Sequence, residues 1–282
     1  MKHIPVLLDR VLETLGDIRG KTVVDGTFGA GGYTRAFLEH GANVIAFDRD
    51  PSVIPTANEI GAQYPDTFKF VLEPFSKIKL VLCCPPDAVV FDFGISSMQI
   101  DQAERGFSFR FDAPLDMRME SAGQTAAQLI EELTVPQLAE ILRDYGDLKK
   151  AGILARVIKE ALPKTTFELK DLIHNPKDVA PVFQALRIAV NDELGEIRRV
   201  LADVPDLLDA GGMCVCVTFH SLEDRLVKGV FRELTTALGD PRLPVLEAAR
   251  FKLLKTATPS DAELTANSRA RSAHMRAVVK SY

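Results

Sequence analysis

No stretch of this 282-residue chain reaches the roughly 18 consecutive apolar residues that a membrane-crossing helix requires, so neither a spanning segment nor a membrane partner is expected. The first twenty residues carry Lys2, Asp9, Arg10, Glu13, Asp17 and Arg19. That spread of charge leaves no apolar core for a secretory signal and no Arg- and Ser-rich transit pattern, and a soluble, cytoplasmic protein is the expectation. Cysteine is sparse, occurring only as the adjacent pair Cys83, Cys84 and the alternating pair Cys214, Cys216. Neither pair has the two-residue gap of a zinc or redox site, so no metal is expected and the four read as small buried thiols. Basic charge is in deficit overall, 34 Lys and Arg against 39 Asp and Glu, which argues against a uniformly basic nucleic-acid binder. Residues 250–282 are the exception, with Arg250, Lys252, Lys255, Arg269, Arg271, Arg276 and Lys280 against Asp261 and Glu263, an asymmetry that suggests a local polyanion contact. A hydrophobic content of 46% is ample for one large domain or for one domain carrying an insertion.

Apolar, β-branched runs at 22–25, 43–48, 88–92 and 213–219 read as strands buried on both faces. A short helix fits 33–39 and a second 51–60, with Pro51 in its first turn. Strands alternating with helices imply an α/β fold with a doubly wound, mostly parallel sheet. From Glu104 to Val200 the periodicity is helical throughout, and this block is read as a helical insertion. The expected division is a core of 1–104 and 201–282 around an inserted helical domain at 105–200. "SAHMRAVVK" alternates weakly enough to close the sheet, and 235–268 is read as an irregular surface excursion.

The strand "TVVD" ends at Asp25, and Gly26, Gly29, Gly31 and Gly32 follow before the helix. Glycines there let the backbone turn tightly and approach a ligand. The next strand, "VIAFD", ends at Asp48, close to where a doubly wound fold offers a carboxylate to ribose hydroxyls. The spacing is not that of a dinucleotide site: in G-x-G-x-x-G, the register from Gly29 and Gly31 places Thr34 where the third glycine belongs, and that from Gly26 places Phe28 second. Asp25 would attract an ammonium and repel a pyrophosphate, so a nucleoside with an amino-acid arm suits the turn better, and S-adenosylmethionine is such a molecule. A third strand ends at Asp92. Ligands of such sheets bind beyond the carboxyl ends of the strands, so Asp25, Asp48 and Asp92 are expected to line one crevice. Methyl transfer from a sulfonium needs an aligned acceptor and a dry pocket more than a strong base.

The segment "ERGFSFRFDAPLDMRM", 104–119, crowds Phe107, Phe109 and Phe111 with Arg105, Arg110 and Arg118 and is too irregular for a plain helix. Together with "DGTFGAGGYTRA", "FDRDP", "EPFSKI", "FDFGISSMQIDQAERGFSF", "FQALRIAVNDEL", "TFHSLEDRLVK" and "NSRARSAHMRAV", it closely resembles the RsmH (MraW) family of small-subunit ribosomal RNA methyltransferases. The resemblance implies a class I S-adenosylmethionine-dependent methyltransferase core interrupted by a helical domain. It implies methylation of the N4 amine of a cytosine in the decoding region of 16S ribosomal RNA, with S-adenosylmethionine as cofactor and the RNA or the small ribosomal subunit as partner. By similarity, Gly31, Gly32 and Tyr33 would lie along the methionine and ribose, Asp48 on the ribose, Phe75 beside the adenine, and Asp92 and Gln99 near the reacting end, with Asp92 the candidate catalytic residue. Arg105, Arg110, Arg118 and His220 are candidates for gripping the RNA. Tyr33 stands where the family usually has His, and the helical insertion lacks the His-Pro-Ala-Thr-Arg lead before "FQALRI". The departure in the insertion keeps a second reading open, a catalytically weak ribosome-assembly factor that binds RNA with the same fold; a nicotinamide-dependent oxidoreductase is a more distant third.

Overall fold

The structure is a computed structural model in which residues 5–237 and 248–282 are described. The chain divides into two compact units, Met1–Gly94 with Leu194–Tyr282, and Ile95–Glu193. On the sequence alone the boundaries were placed at 105 and 200. The loop after Asp92 carries no periodicity to mark a border, and helix Glu193–Leu207 runs through the second one.

The first unit is built on a seven-stranded sheet in the order β3-β2-β1-β4-β5-β7-β6. Its strands are β1 (Thr22–Asp25), β2 (Asn43–Asp48), β3 (Phe68–Leu72), β4 (Ala88–Asp92), β5 (Met213–Thr218), β6 (Phe251–Leu253) and β7 (His274–Lys280). Strands β1 to β5 pair in parallel, whereas β7 runs antiparallel to both β5 and β6. This is the doubly wound, mostly parallel sheet expected of a class I methyltransferase core. The central strands are the continuous apolar runs seen in the sequence, and Val23, Val24, Val89, Val90, Phe91, Val215 and Val217 are all essentially inaccessible, as a sheet covered on both faces requires.

The chain runs α1 (Leu8–Leu15), α2 (Gly32–Glu39), α3 (Ile54–Gln63) and α4 (Ile78–Val81) through the first half of this unit. Pro51 opens a 3₁₀ turn, Pro51–Val53, that leads into α3; the sequence had read one continuous helix there. Edge strands β3 and β6 were not read from the sequence. Both are half exposed and short, and β6 together with helix Asp261–Ala266 occupies part of the stretch taken as irregular. Residues 238–247 of that stretch lie outside the described residues. Cys214 and Cys216 are buried in β5, but Cys83 and Cys84 are exposed, contrary to the expectation of four buried thiols. They sit just before Pro85 and Pro86 in the turn that leads to β4, at the surface like the neighbouring Leu80 and Val81.

The second unit is helical: α5 (Ser97–Asp101), α6 (Ala126–Glu132), α7 (Val135–Gly146), α8 (Ala151–Ala161), α9 (Thr166–Asp171) and α10 (Pro176–Asn191). Leu138, Leu142, Ala155, Ile158, Val182 and Leu186, spaced three or four apart on their helices, close its core. Helix α11 (Glu193–Leu207) returns the chain to the first unit, where α12 (Ser221–Leu234) follows β5 and α13 (Asp261–Ala266) precedes β7.

Candidate functional site

The order of strands around β1 fixes where a ligand can sit. From β1 the chain crosses to β2 on one side and later to β4 on the other, so the carboxyl ends of β1 and β4 form the switch point at which doubly wound sheets open a crevice. Asp48, Asp25 and Asp92 terminate β2, β1 and β4, three adjacent strands. With neighbouring strands about 4.8 Å apart, the outer two carboxylates project from ends on the order of 10 Å apart.

The glycine turn 26–32 crosses those strand ends and is bonded to each. Gly26 N–H donates to Val90 O of β4, Phe28 N–H to Phe47 O of β2, and Gly29 N–H to Asp48 Oδ2 at 2.8 Å. Thr27 N–H donates to Asp25 Oδ1 and Thr27 Oγ1 accepts from Asp92 N–H at 2.7 Å. Two glycines are demanded by protein rather than by ligand. A Cβ on Gly26 would stand 2.4 Å from the Phe91 ring, and one on Gly32 the same distance from Pro5. Gly31, at φ +74, is the left-handed residue that starts α2, and a side chain there would meet Ile60.

The three acids differ in what the fold leaves them. Asp25 is buried, its second oxygen accepts Thr34 Oγ1–H at 2.7 Å, and burial pushes its carboxyl up to about 6 despite those bonds. It is tied into the turn and offers little to an ammonium. Asp48 is half-buried, with Oδ1 and Oδ2 each accepting one backbone N–H, from Asp50 and Gly29. Burial raises it to about 6 as well. The Arg49 N–H adds a third backbone bond, which leaves the carboxylate one acceptor site for a ribose hydroxyl. Asp92 is different in kind: its Oδ1 is sealed from solvent and has no hydrogen-bond partner. Burial, with Asp25 and Glu223 adding like charge, holds its carboxyl well above the usual range. An orphaned buried acceptor is expensive, and its persistence at a strand end marks a place where a donor is expected to arrive.

Phe75, half-buried at the turn after β3, packs edge-on against Phe91 at 5.7 Å and against Phe93 at 5.6 Å, and Phe91 and Phe93 stack 5.4 Å apart. That aromatic wall was missed in part: Phe91 and Phe93 flank Asp92 in "VFDFG", and alternation along a strand puts both on one face, a signal the sequence did carry. Tyr33 faces the core, with its hydroxyl donating to Val6 O and its ring 5.9 Å from Phe37. Gln99, in the second unit, is buried and forms a capping box on α5, its Oε1 accepting Ser96 N–H and its own N–H donating to Ser96 Oγ.

The RNA-gripping candidates divide. Arg118 makes a two-pronged pair with Asp116 at 2.8 Å on both arms and donates to the carbonyls of Ser121 and Gly123. Arg105 donates to the carbonyls of Arg118 and Met119 and lies over the Phe107 ring. Both bind their own segment together, whereas the Arg110 side chain is exposed. His220 caps α12: its Nδ1 accepts Glu223 N–H, and its Nε2 stands 3.0 Å from Glu223 Oε1. In the basic C-terminal stretch, Arg276 is held by both oxygens of Asp224 and Lys280 by the carbonyls of Pro205 and Leu208, so two of the seven cations are structural. Among the described residues no helix is long and apolar enough to cross a membrane.

Comparison with known proteins matches the model of the MraW methylase family over residues 1–281. Similar curated proteins include the ribosomal RNA small subunit methyltransferase H of Mesorhizobium japonicum, 46% identical over 99% of this chain and 88% of that protein. The protein of the same name from Chelativorans sp. is 44% identical over 98% of this chain and 86% of its own. Among solved structures, an rRNA methylase from Streptococcus thermophilus aligns over 98% of this chain and 94% of its own at 13% identity, with a TM-score of 0.44.

Proposed function

The chain belongs to the MraW methylase family, and from that premise we propose that it transfers a methyl group from S-adenosylmethionine to ribosomal RNA of the small subunit, at the N4 amine of a cytosine in the decoding region of the 16S molecule. The names of its relatives support the ribosomal RNA substrate, and the choice of the cytosine amine rests on the resemblance together with the acceptor at Asp92.

The single observation that carries the reading is the sealed, unpartnered Oδ1 of Asp92 at the switch point. The residues around it fit the donor. Asp48, with an acceptor site left beside its backbone bonds, suits a ribose hydroxyl, and the half-buried Phe75 ring suits the face of adenine. Gly31, Gly32 and Tyr33 contribute through the backbone at the start of α2, because the Tyr33 hydroxyl is already engaged. The bound donor supplies a methyl carbon on a positively charged sulfur, which leaves as a neutral thioether. Asp92 accepts a hydrogen bond from the exocyclic amine, aligns its lone pair and draws off charge as the N–H groups become more acidic. A stacked base hides that amine, so the cytosine must be presented unstacked. Gln99 is assigned to the same site through the resemblance. The second compact unit, 95–193, is taken as the inserted helical domain, with Arg110 as its RNA contact.

The test is to incubate the purified protein with labelled donor and small ribosomal subunits, digest the RNA to nucleosides and identify the labelled one. N4-methylated cytidine is expected; label on another base, or none while the donor still binds, would refute the assignment.

A further inference from the structure

Behind Asp92 lies a second acid that the reading above does not use. Glu223, in the first turn of α12, is completely buried. Its Oε2 accepts two backbone N–H groups from the β5–α12 turn, Phe219 at 2.7 Å and His220 at 3.2 Å. Its Oε1 faces His220 Nε2 at 3.0 Å, close enough for a strong electrostatic contact though not aligned as a hydrogen bond. His220 Nδ1 in turn accepts the Glu223 N–H, which ties the ring to the same turn. The Glu223 carboxylate is thus held by two backbone donors with the His220 ring beside it.

The same carboxylate reaches beneath the loop that follows Asp92. A Cβ built on Gly94 would lie 3.6 Å from Glu223 Oε1, and Phe93 N–H is bonded to Val217 O, which fastens the end of β4 to the end of β5. Asp92 thus has Asp25 beside it on β1, the Tyr33 hydroxyl contributed by α2, and Glu223 behind it on α12; the charges acting on its carboxyl are the two acids. A helix cap needs only a short acceptor at its first position. Burying a full carboxylate beside two others costs far more than a cap returns, unless its charge has a use.

We propose that Glu223, braced by His220, is a positioning residue of the methyl transfer: its negative charge keeps Asp92 a good proton acceptor, so that Asp92 Oδ1 takes the proton the amine must lose. The proposal rests on the methyl-transfer reading. In that step N4 bonds to the methyl carbon as the carbon–sulfur bond breaks and its electron pair stays on sulfur. The amine, now carrying one proton too many, passes it to Asp92 Oδ1, and the neutral carboxyl returns it to water once the product has left. His220 takes no proton from the substrate; its ring orients Glu223.

The substitution Glu223→Gln keeps an oxygen to accept the turn's N–H groups and removes the charge. Asp92 must be ionised to accept a proton, so activity falls as pH drops through its titration. In E223Q Asp92 is less basic, and the acid limb of kcat at saturating donor and RNA moves to lower pH by on the order of one unit, with KM for the donor within about twofold. A limb that stays in place, with only thermal stability reduced, makes Glu223 a structural cap and overturns the proposal. The unmodified protein is assayed in parallel: if it leaves small-subunit RNA unmethylated, the functional reading fails and takes this inference with it. If E223Q does not fold, the Asp92 carboxyl, labelled with carbon-13 and assigned by its loss in D92N, is titrated by NMR in the intact protein and in His220→Ala, which removes the ring that braces Glu223. A midpoint that falls in H220A sustains the proposal; one that stays in place overturns it.

Discussion

The glycine turn at 26–32 and the arginine-bearing segment at 104–119 look alike on paper: both are irregular, dense in polar residues and placed beside apolar runs. They differ in whether the fold finishes their hydrogen bonds. In the segment it does: Arg105 and Arg118 are spent on carbonyls and on Asp116, and Gly106, at φ +71, is required because a Cβ there would meet Pro114 O at 2.3 Å. Around the turn it does not, and Asp92 keeps one sealed oxygen with nothing bonded to it. Residue type alone marks both regions as candidate sites. Unfinished polar chemistry selects one of them.

The comparison is sharpened most by pH. Folding carries Asp25 from 3.8 to about 6, and Asp48 likewise. The unfolded chain releases those protons first, so stability falls as pH rises from about 4, Asp25 and Asp48 each contributing about 3 kcal/mol by about pH 6 and the raised carboxyl of Asp92 adding to the fall. Denaturant unfolding across that range is expected to show the fall, and D25N to reduce it by about 3 kcal/mol; a profile unchanged by D25N would mean that Asp25 is not buried as an acid. Next in size, Asp48→Asn is expected to weaken donor binding by about 10- to 100-fold in calorimetry, the effect of one or two hydrogen bonds to a charged group. Gly26→Ala sets a methyl 2.4 Å from the Phe91 ring and is expected to lower stability by about 1–3 kcal/mol. Smallest is the contrast between two arginines. Arg118→Ala is expected to cost about 1–2 kcal/mol of stability. Arg110→Ala is expected to leave stability within about 0.5 kcal/mol while reducing the salt dependence of RNA binding by about one charge. Equal effects of the two on RNA binding would erase the distinction, within the segment, between an arginine bonded to its own chain and an exposed one.

Much of the sheet was legible because its central strands are buried on both faces and therefore read as unbroken apolar runs; β1, β2 and β4 fall where "TVVD", "NVIAFD" and "AVVFD" place them. Edge strands β3 and β6 were not, since half-exposed strands mix Lys and Phe and carry no such run. The strand-end acids could be found from spacing, but their inequality could not. Which carboxylate oxygen goes without a partner depends on where Thr27, Thr34 and the Gly29 N–H land in three dimensions. The same limit hid Glu223, which in "HSLEDR" looks like an ordinary exposed helix residue and is buried in the fold, where the N–H groups of Phe219 and His220 bond its carboxylate. Arg105, Arg118 and His220 illustrate the converse: residue types suited to RNA whose polar atoms the fold had already committed.

The most direct measurement is methyl transfer by Asp92→Asn at saturating donor and small-subunit RNA, beside the wild-type protein. If Asp92 Oδ1 is the acceptor for the amine, kcat falls by about 10²- to 10⁴-fold while the variant, relieved of a buried acid, unfolds at no lower denaturant concentration than wild type. Transfer at the wild-type rate by a folded D92N protein would contradict it.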